Sequence, residues 1–405
     1  VTIFDRVCVG GIAGVIAIVP LGGALGVFDA SRPPLSTPLG VPGALAIAAV
    51  TVLAMLLATA GAIRRRSRPV TFGVVVANAA ATLLGTLFGF DPAVGLLIAL
   101  SLAGFTGAHL AIFAYYREPG VADVLFGTLL VSGLLAALAA IVMTVTKTPS
   151  ELYAFNHGRA VGTFLNPNEL AAYLLVYLGA AAGLALVRRG TRAGWFALVC
   201  AGVGALALLL TFSRWGLFSA VVGVVFFAAA MRSRRALVVA VLALVVGAGV
   251  NVALGARHHD PQDTDARAVA WRAGFATFAH FPLTGVGPIA FERLYPVMRA
   301  PDAPGPNTPI AFDPHDLPLS ILAETGLVGF AAFIAAVVVF ARALCKLLAH
   351  ASSDVRTLSL AIFAGLVALL THSLLNSVSI AFGIIMLFTA LGLAGGRGED
   401  ARHAA

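Results

Sequence analysis

The sequence predicts an all-α polytopic membrane protein of about twelve transmembrane helices, with a long, partly helical loop before the tenth span. Three observations predict it. The 405-residue chain is 60% hydrophobic and only 11% charged, with a mean hydropathy of +0.98, whereas soluble domains are near half apolar and a quarter charged. Apolar windows long enough to cross a hydrocarbon core, about 20 residues each, follow one another with short polar breaks. The basic residues cluster in alternate breaks instead of forming one face, so the net charge of +8 concerns membrane topology and not nucleic acid.

The windows run at 7–27, 41–63, 70–90, 93–115, 121–143, 169–187, 195–212, 215–231, 236–254, 318–341, 357–375 and 377–394. The first has no small-residue cleavage site before the polar stretch Asp29–Pro38 and is read as a retained helix, not a removed signal. Residues 1–405 are read as one integral-membrane domain. Cys8, Cys200 and Cys345 fall in or beside spans without CxxC spacing, which implies neither a disulfide framework nor a zinc site.

Cytoplasmic loops carry the Lys/Arg excess, and the breaks alternate without conflict. Arg64–Arg66 with Arg68, Arg117, Arg188, Arg189, Arg192, Arg232, Arg234, Arg235, Arg342, Lys346 and Arg356 fall on one side. With Arg6, Arg397 and Arg402 that side holds 17 of the 26 basic residues and six acids, so both termini are expected in the cytoplasm. The 37-residue stretch Trp195–Met231 carries one charge and has arginines beyond both ends. A straight helix of that length would extend roughly 55 Å, against a core of about 30 Å. It must therefore fold back at Thr211–Arg214, placing Arg214 on the outer face.

Three outer segments are longer or more polar than turns: 144–168, the Arg214 hairpin, and the 63-residue loop 255–317. Long loops in compact proteins are generally functional. Within the third, Trp271, Phe275 and Phe278 recur at i, i+4 and i+7, predicting an amphipathic helix from Thr264 or Asp265 to Pro282. Arg267 lies one turn before Trp271 on that stripe, where a charge needs a partner; Arg272 lies on the polar side. A proline-studded run then leads to Asp313-Pro314-His315-Asp316, directly before the next span.

The outer face thus holds one base suited to proton transfer near neutral pH, His315, and arginines from three segments, Arg159, Arg214 and Arg267. Their planar forks match phosphate oxygens. A base beside phosphate-fitting cations suggests attack by a hydroxyl with departure of a phosphate.

Four motifs in order carry a family resemblance: Gly162-Thr163-Phe164-Leu165-Asn166-Pro167-Asn168-Glu169-Leu170-Ala171; Ser213-Arg214; Arg267 with Trp271 and His280-Phe281-Pro282-Leu283-Thr284-Gly285-Val286-Gly287; and His315-Asp316 with Leu319 and Glu324-Thr325-Gly326-Leu327-Val328-Gly329. Over roughly 155–335 the chain resembles the bacterial O-antigen ligase and polymerase superfamily. The resemblance implies a bacterial inner-membrane glycosyltransferase with its site facing the periplasm. The implied donor is an undecaprenyl-pyrophosphate-linked glycan, and neither metal nor another cofactor is implied. In the ligase branch the acceptor is a sugar hydroxyl of lipid A-core. By motif position His315 is the implied base and Arg214 and Arg267 the pyrophosphate clamps. Arg159 is matched only by its nearness to the Gly-Thr-Phe motif. Asp316 stands where many relatives have Asn, which leaves the partner that orients His315 open.

Bland readings stand beside these. The bland reading of His315 is help in ending a helix with Asp316 as N-cap, and that of Arg214 is snorkelling at a span end; His372 and Asn376, at the outer end of a span, either support the site or join two helices. Asn166-Pro167-Asn168 reads as an extended entry and helix cap. His258-His259-Asp260 with Asp263 and Asp265 reads as a solvated lead-in, not a metal site. Two rival functions remain: a polymerase using a second lipid-linked repeat unit as acceptor, and a transporter. The near absence of charge in the middle of the spans speaks against the transporter.

Overall fold

The computed structural model describes residues 2–22, 40–164, 166–232, 238, 249, 263–299, 313–376 and 381–395. In chain order the described helices are α1 (Ile3–Gly22), α2 (Gly40–Arg64), α3 (Phe72–Leu87), α4 (Pro92–Tyr115), α5 (Val121–Thr146), α6 (Ser150–Phe155), α7 (Pro167–Val187), α8 (Arg192–Leu210), α9 (Arg214–Ala230), α10 (Asp263–His280), α11 (Phe291–Met298), α12 (Leu317–His350), α13 (Ser353–His372) and α14 (Ala381–Ala394). Among the described residues there is no strand. Among the described residues, seven helices are long and apolar enough to cross a membrane: α1, α4, α5, α7, α8, α12 and α13. Shorter apolar helical stretches lie in α2, α3, α9 and α14. These eleven fall on eleven of the predicted windows; the remaining window, 236–254, lies outside the described residues except for 238 and 249.

The helix starts follow local chemistry. Asp91, Asn166 and Asp316 each cap a helix with a side-chain oxygen, and each is followed by proline in the first turn of α4, α7 or α12, where proline's missing N–H leaves no bond unmade. Thr191 and Ser213 cap α8 and α9 in the same way. The apolar stretch 195–231 breaks at Thr211–Ser213, with Phe212 at φ +48, and its two helices diverge. One, α9, packs chiefly on α13, while α8 packs on α7 and α5.

Helix α13 organises one half of the bundle. Apolar contact alone drives little association between helices that lipid can solvate, so close backbone approach matters. A Cβ at Gly179 of α7 would lie 2.4 Å from the Ala361 carbonyl oxygen, one at Gly365 of α13 would lie 2.8 Å from that of Leu175, and one at Gly223 of α9 would lie 2.6 Å from that of Ala364. These contacts set α7 and α9 against α13 so that their N-termini meet its C-terminus.

A second contact positions the elements between α9 and α12. Gly326 inside α12 takes φ 64, ψ −163, which breaks the ladder in which Leu327 and Val328 would donate to Ala323 and Glu324. Both carbonyls are taken up by another segment: Val286 N–H donates to Ala323 (3.0 Å) and Gly287 N–H to Glu324 (2.9 Å). Both amides are taken up as well, Leu327 donating to the Pro282 carbonyl (2.8 Å) and Val328 to that of Leu283 (3.2 Å). The two glycine-containing motifs, 280–287 and 324–329, are thus two halves of one backbone joint. Gly89 in the α3–α4 turn closes it, since a Cβ there would lie 2.7 Å from the Gly287 Cα.

At the opposite end of the bundle, Arg65 bridges Asp5 (3.3 Å) and Glu118 (3.0 Å), the Tyr115 hydroxyl donates to Asp5, and Arg188 pairs with Asp123. Between the ends, Asn78 Nδ2 donates to the Ala332 carbonyl (2.9 Å), and His109 is held between Thr71 Oγ1 (2.7 Å) and the Met386 carbonyl oxygen (2.8 Å). Both are polar ties between neighbouring helices.

The joint makes a sharp prediction. Gly285 sits at φ +66, and a Cβ there would lie 2.3 Å from the Glu324 carbonyl carbon. Gly285→Ala is expected to destabilise the purified protein on the order of 3 kcal/mol. Gly202→Ala in α8, where a Cβ meets nothing within 4 Å, should be neutral or stabilising by up to about 1 kcal/mol. Thermal unfolding of both variants in the same detergent checks the contrast.

Candidate functional site

Asn168 lies in the first turn of α7, positioned by the Asn166 cap, whose side chain accepts the Asn168 N–H at 2.8 Å. The Asn168 Oδ1 receives two donors from other segments, Arg159 Nη2 at 2.9 Å and the Ser213 hydroxyl at 3.1 Å. The Asn168 carbonyl oxygen lies 3.1 Å from His372 Nε2. One residue therefore joins the 159–164 segment, the start of α9 and the end of α13. Read from sequence only as part of a cap, Asn168 is the residue that reasoning underrated; a side-chain amide two places beyond its own cap was the available signal.

Arg159 is held further by its Nε–H, which donates to the Thr211 carbonyl at 2.8 Å, and its segment is fixed in turn. Ala160 N–H donates to the Leu210 carbonyl (2.9 Å), and the Thr163 hydroxyl donates to the Pro20 carbonyl of α1. Trp215 Nε1 donates to the Thr371 carbonyl at 2.9 Å, binding the first turn of α9 to the last turn of α13. His372, Ser373 and Asn376 are all buried here. The Leu317 N–H donates to the Ser373 carbonyl at 2.8 Å, which brings the start of α12, and with it the 313–316 turn, to the same place. The Arg159 and Arg267 charges both act on the His372 imidazole. The structure thus brings Arg159, Arg267, His372 and Asn376 to the common end of α7, α9, α12 and α13.

Arg214 is the first residue of α9, exposed, with no ion pair among the described residues. It stands beside the capping Ser213, so its charge adds to the positive end of the α9 dipole. The N-termini of α7, α9 and α12 all open at this end, and a helix N-terminus presents unpaired N–H groups and about half a positive charge. With Arg159, Arg214 and Arg267 added, the region is a strongly anion-seeking pole.

His315 occupies the left-handed region at φ +54, and its side chain is 40% exposed, so its ring is reachable. Asp316 caps α12 by accepting the Leu319 N–H at 2.7 Å. Burial pushes its carboxyl above the ordinary range, and the Leu319 hydrogen bond pulls it partly back.

One expectation is corrected in α10. The buried face is the small-residue stripe Ala270, Ala273, Gly274 and Thr277, while Phe275 is 61% exposed. The reason is close packing: a Cβ at Gly274 would lie 3.0 Å from the Leu319 side chain and 3.2 Å from that of Pro314, which leaves no room for an aromatic stripe. Arg267 is two turns before Gly274, so it lies on the face turned to α12. Trp271 Nε1 is buried without a hydrogen-bond partner among the described residues. Among the described residues no group of three or more His, Cys, Asp or Glu could hold a metal ion; His258, His259 and Asp260 lie outside the described residues.

Asp316→Asn keeps the capping oxygen and removes the charge, so it should preserve the fold, whereas Asp316→Ala should cost about 1 kcal/mol through loss of the cap. The Asn variant also has a pH signature. Folding raises the Asp316 pKa, so the folded state holds that proton more tightly than the unfolded one; the resulting stabilisation is full below the unfolded carboxylate range and lost as pH rises through the raised value. Asp316→Asn is therefore expected to gain stability over the parent at neutral pH, with the gain vanishing in acid. Melting temperatures across a pH series measure it.

No curated protein matches the chain. A family model described as O-Antigen ligase matches residues 174–334. The matched interval includes Arg214, Arg267, His315 and both halves of the backbone joint, with Gly89, Arg159, Asn168, His372 and Asn376 outside it. The helical bundle and the order of the motifs agree with this match, by which residues 174–334 are similar to the O-antigen ligase family.

Proposed function

We propose that the protein is an O-antigen ligase, a membrane glycosyltransferase of the bacterial inner membrane whose site faces the periplasm. It transfers glycan from undecaprenyl-pyrophosphate to a sugar hydroxyl of lipid A-core. The observation that carries this reading is the convergence of three helix N-termini with Arg159, Arg214 and Arg267 beside a reachable histidine. A pyrophosphate carries the charge and the oxygens such a pole is built to hold.

In this reading Arg214 and Arg267 clamp the donor pyrophosphate, and Arg159, held by Thr211 and Asn168, presents its charge in a fixed orientation. The acceptor hydroxyl oxygen attacks the anomeric carbon from the face opposite the pyrophosphate. The bond from that carbon to the pyrophosphate oxygen breaks, the configuration inverts, and undecaprenyl pyrophosphate leaves with the bonding pair. His315 takes the hydroxyl proton, while the arginines and helix ends stabilise charge developing on the departing oxygen. The chemistry needs no metal or other cofactor. His372 and Asn376 are supporting residues beneath the site.

The polymerase reading uses the same pole with a second lipid-linked repeat unit as acceptor. Gene deletion separates the two. Loss of all O-antigen from the core, with long lipid-linked chains accumulating, is the expected ligase result; retention of a single repeat on the core would establish the polymerase. With purified protein, lipid-linked donor and lipid A-core, His315→Ala should abolish transfer while donor still binds. Arg214→Ala and Arg267→Ala should each weaken donor binding or slow transfer by roughly 10- to 100-fold, without rescue by divalent metal. Full activity of His315→Ala would remove the base from the mechanism.

A further inference from the structure

The residue that orients His315 is assigned by the geometry of the turn before α12. Asp316, its sequence neighbour, is committed elsewhere: its Oδ1 accepts the Leu319 N–H and its carbonyl accepts the Ser320 hydroxyl. Two residues before the histidine, Asp313 Oδ1 accepts the His315 backbone N–H at 2.5 Å and lies 3.5 Å from His315 Nδ1. A single carboxylate oxygen thus addresses both the backbone and the ring of the same residue.

We propose that Asp313 is the positioning residue of His315, holding Nδ1–H toward its carboxylate so that Nε2 faces the acceptor hydroxyl, and balancing the charge when the ring takes a proton. The proposal rests on the reading of His315 as the base. The backbone supports it. Left-handed φ at His315 costs a non-glycine residue energy, and the Asp313 bond to its amide holds that conformation. Pro314 between them is buried against Gly274 of α10, and the Leu317 bond to Ser373 anchors the far side of the turn. The 3.5 Å separation is long for a hydrogen bond, as catalytic contacts often are before substrate binds. A carboxylate on one imidazole nitrogen sets the tautomer and makes the other nitrogen the acceptor.

Asp313→Asn therefore separates a positioning role from a structural one. Asparagine keeps an oxygen to accept the His315 backbone N–H, so its melting temperature should stay at the parent's. It lacks the charge, so kcat for transfer from undecaprenyl-pyrophosphate-linked glycan to lipid A-core should fall on the order of 100-fold, with KM for the donor unchanged. Asp313→Glu, which restores a carboxylate, should recover part of that loss. If Asp313→Asn keeps kcat within about twofold while His315→Ala is inactive, the assignment of Asp313 is wrong and the base stands. If His315→Ala itself is active, the base reading fails and takes this inference with it.

Discussion

A peptide group in a membrane has no water to fall back on, and each one left unpaired costs several kcal/mol. That constraint governs the break in α12. Gly326 releases two carbonyls and two amides, and the 282–287 segment supplies a partner to each. The segment can do so only because Gly285 and Gly287 take positive φ and come within contact distance of the α12 backbone and of Gly89. The 282–287 segment is thus bound to the bundle by main-chain hydrogen bonds, and side-chain identity there is secondary to backbone shape.

From this joint the placement of α10 follows. The loop leaves α10 at His280 and docks on α12 within a few residues, so α10 must lie along the start of α12. The small stripe Ala270–Gly274–Thr277 lets it approach closely, and the approach carries Arg267 toward the common helix end. On the other flank the glycine contacts of α13 draw in α7 and α9. The anion-seeking pole is where these two packing arrangements meet, and Asn168 with its three partners is the hydrogen-bonded centre of that meeting.

Much of this was legible in the sequence because it depends on local rules. Span positions follow from the length of apolar runs, and the turn at Thr211–Ser213 follows from a stretch too long for one bilayer crossing. The caps at Asn166, Ser213 and Asp316 belong to short polar residues before helical runs, as their chemistry requires. The misread face of α10 has an equally physical cause. A periodic aromatic stripe says that a helix is amphipathic, but the face it buries depends on the space its neighbour leaves, and Pro314 and Leu319 leave room only for alanine and glycine.

The sequence by itself determined that the chain crosses a membrane many times and that His315, Arg159, Arg214 and Arg267 fall in its polar connections, because burial and charge placement are properties of each segment alone. The tertiary structure decided which of those residues meet. Asn168 as the hub, Gly326 as the joint and Asp313 as the partner of His315 all rest on contacts whose geometry depends on backbone angles and on the approach of separate helices. Hydrogen bonds need that geometry to within a few tenths of an ångström, which no spacing of letters along a chain specifies.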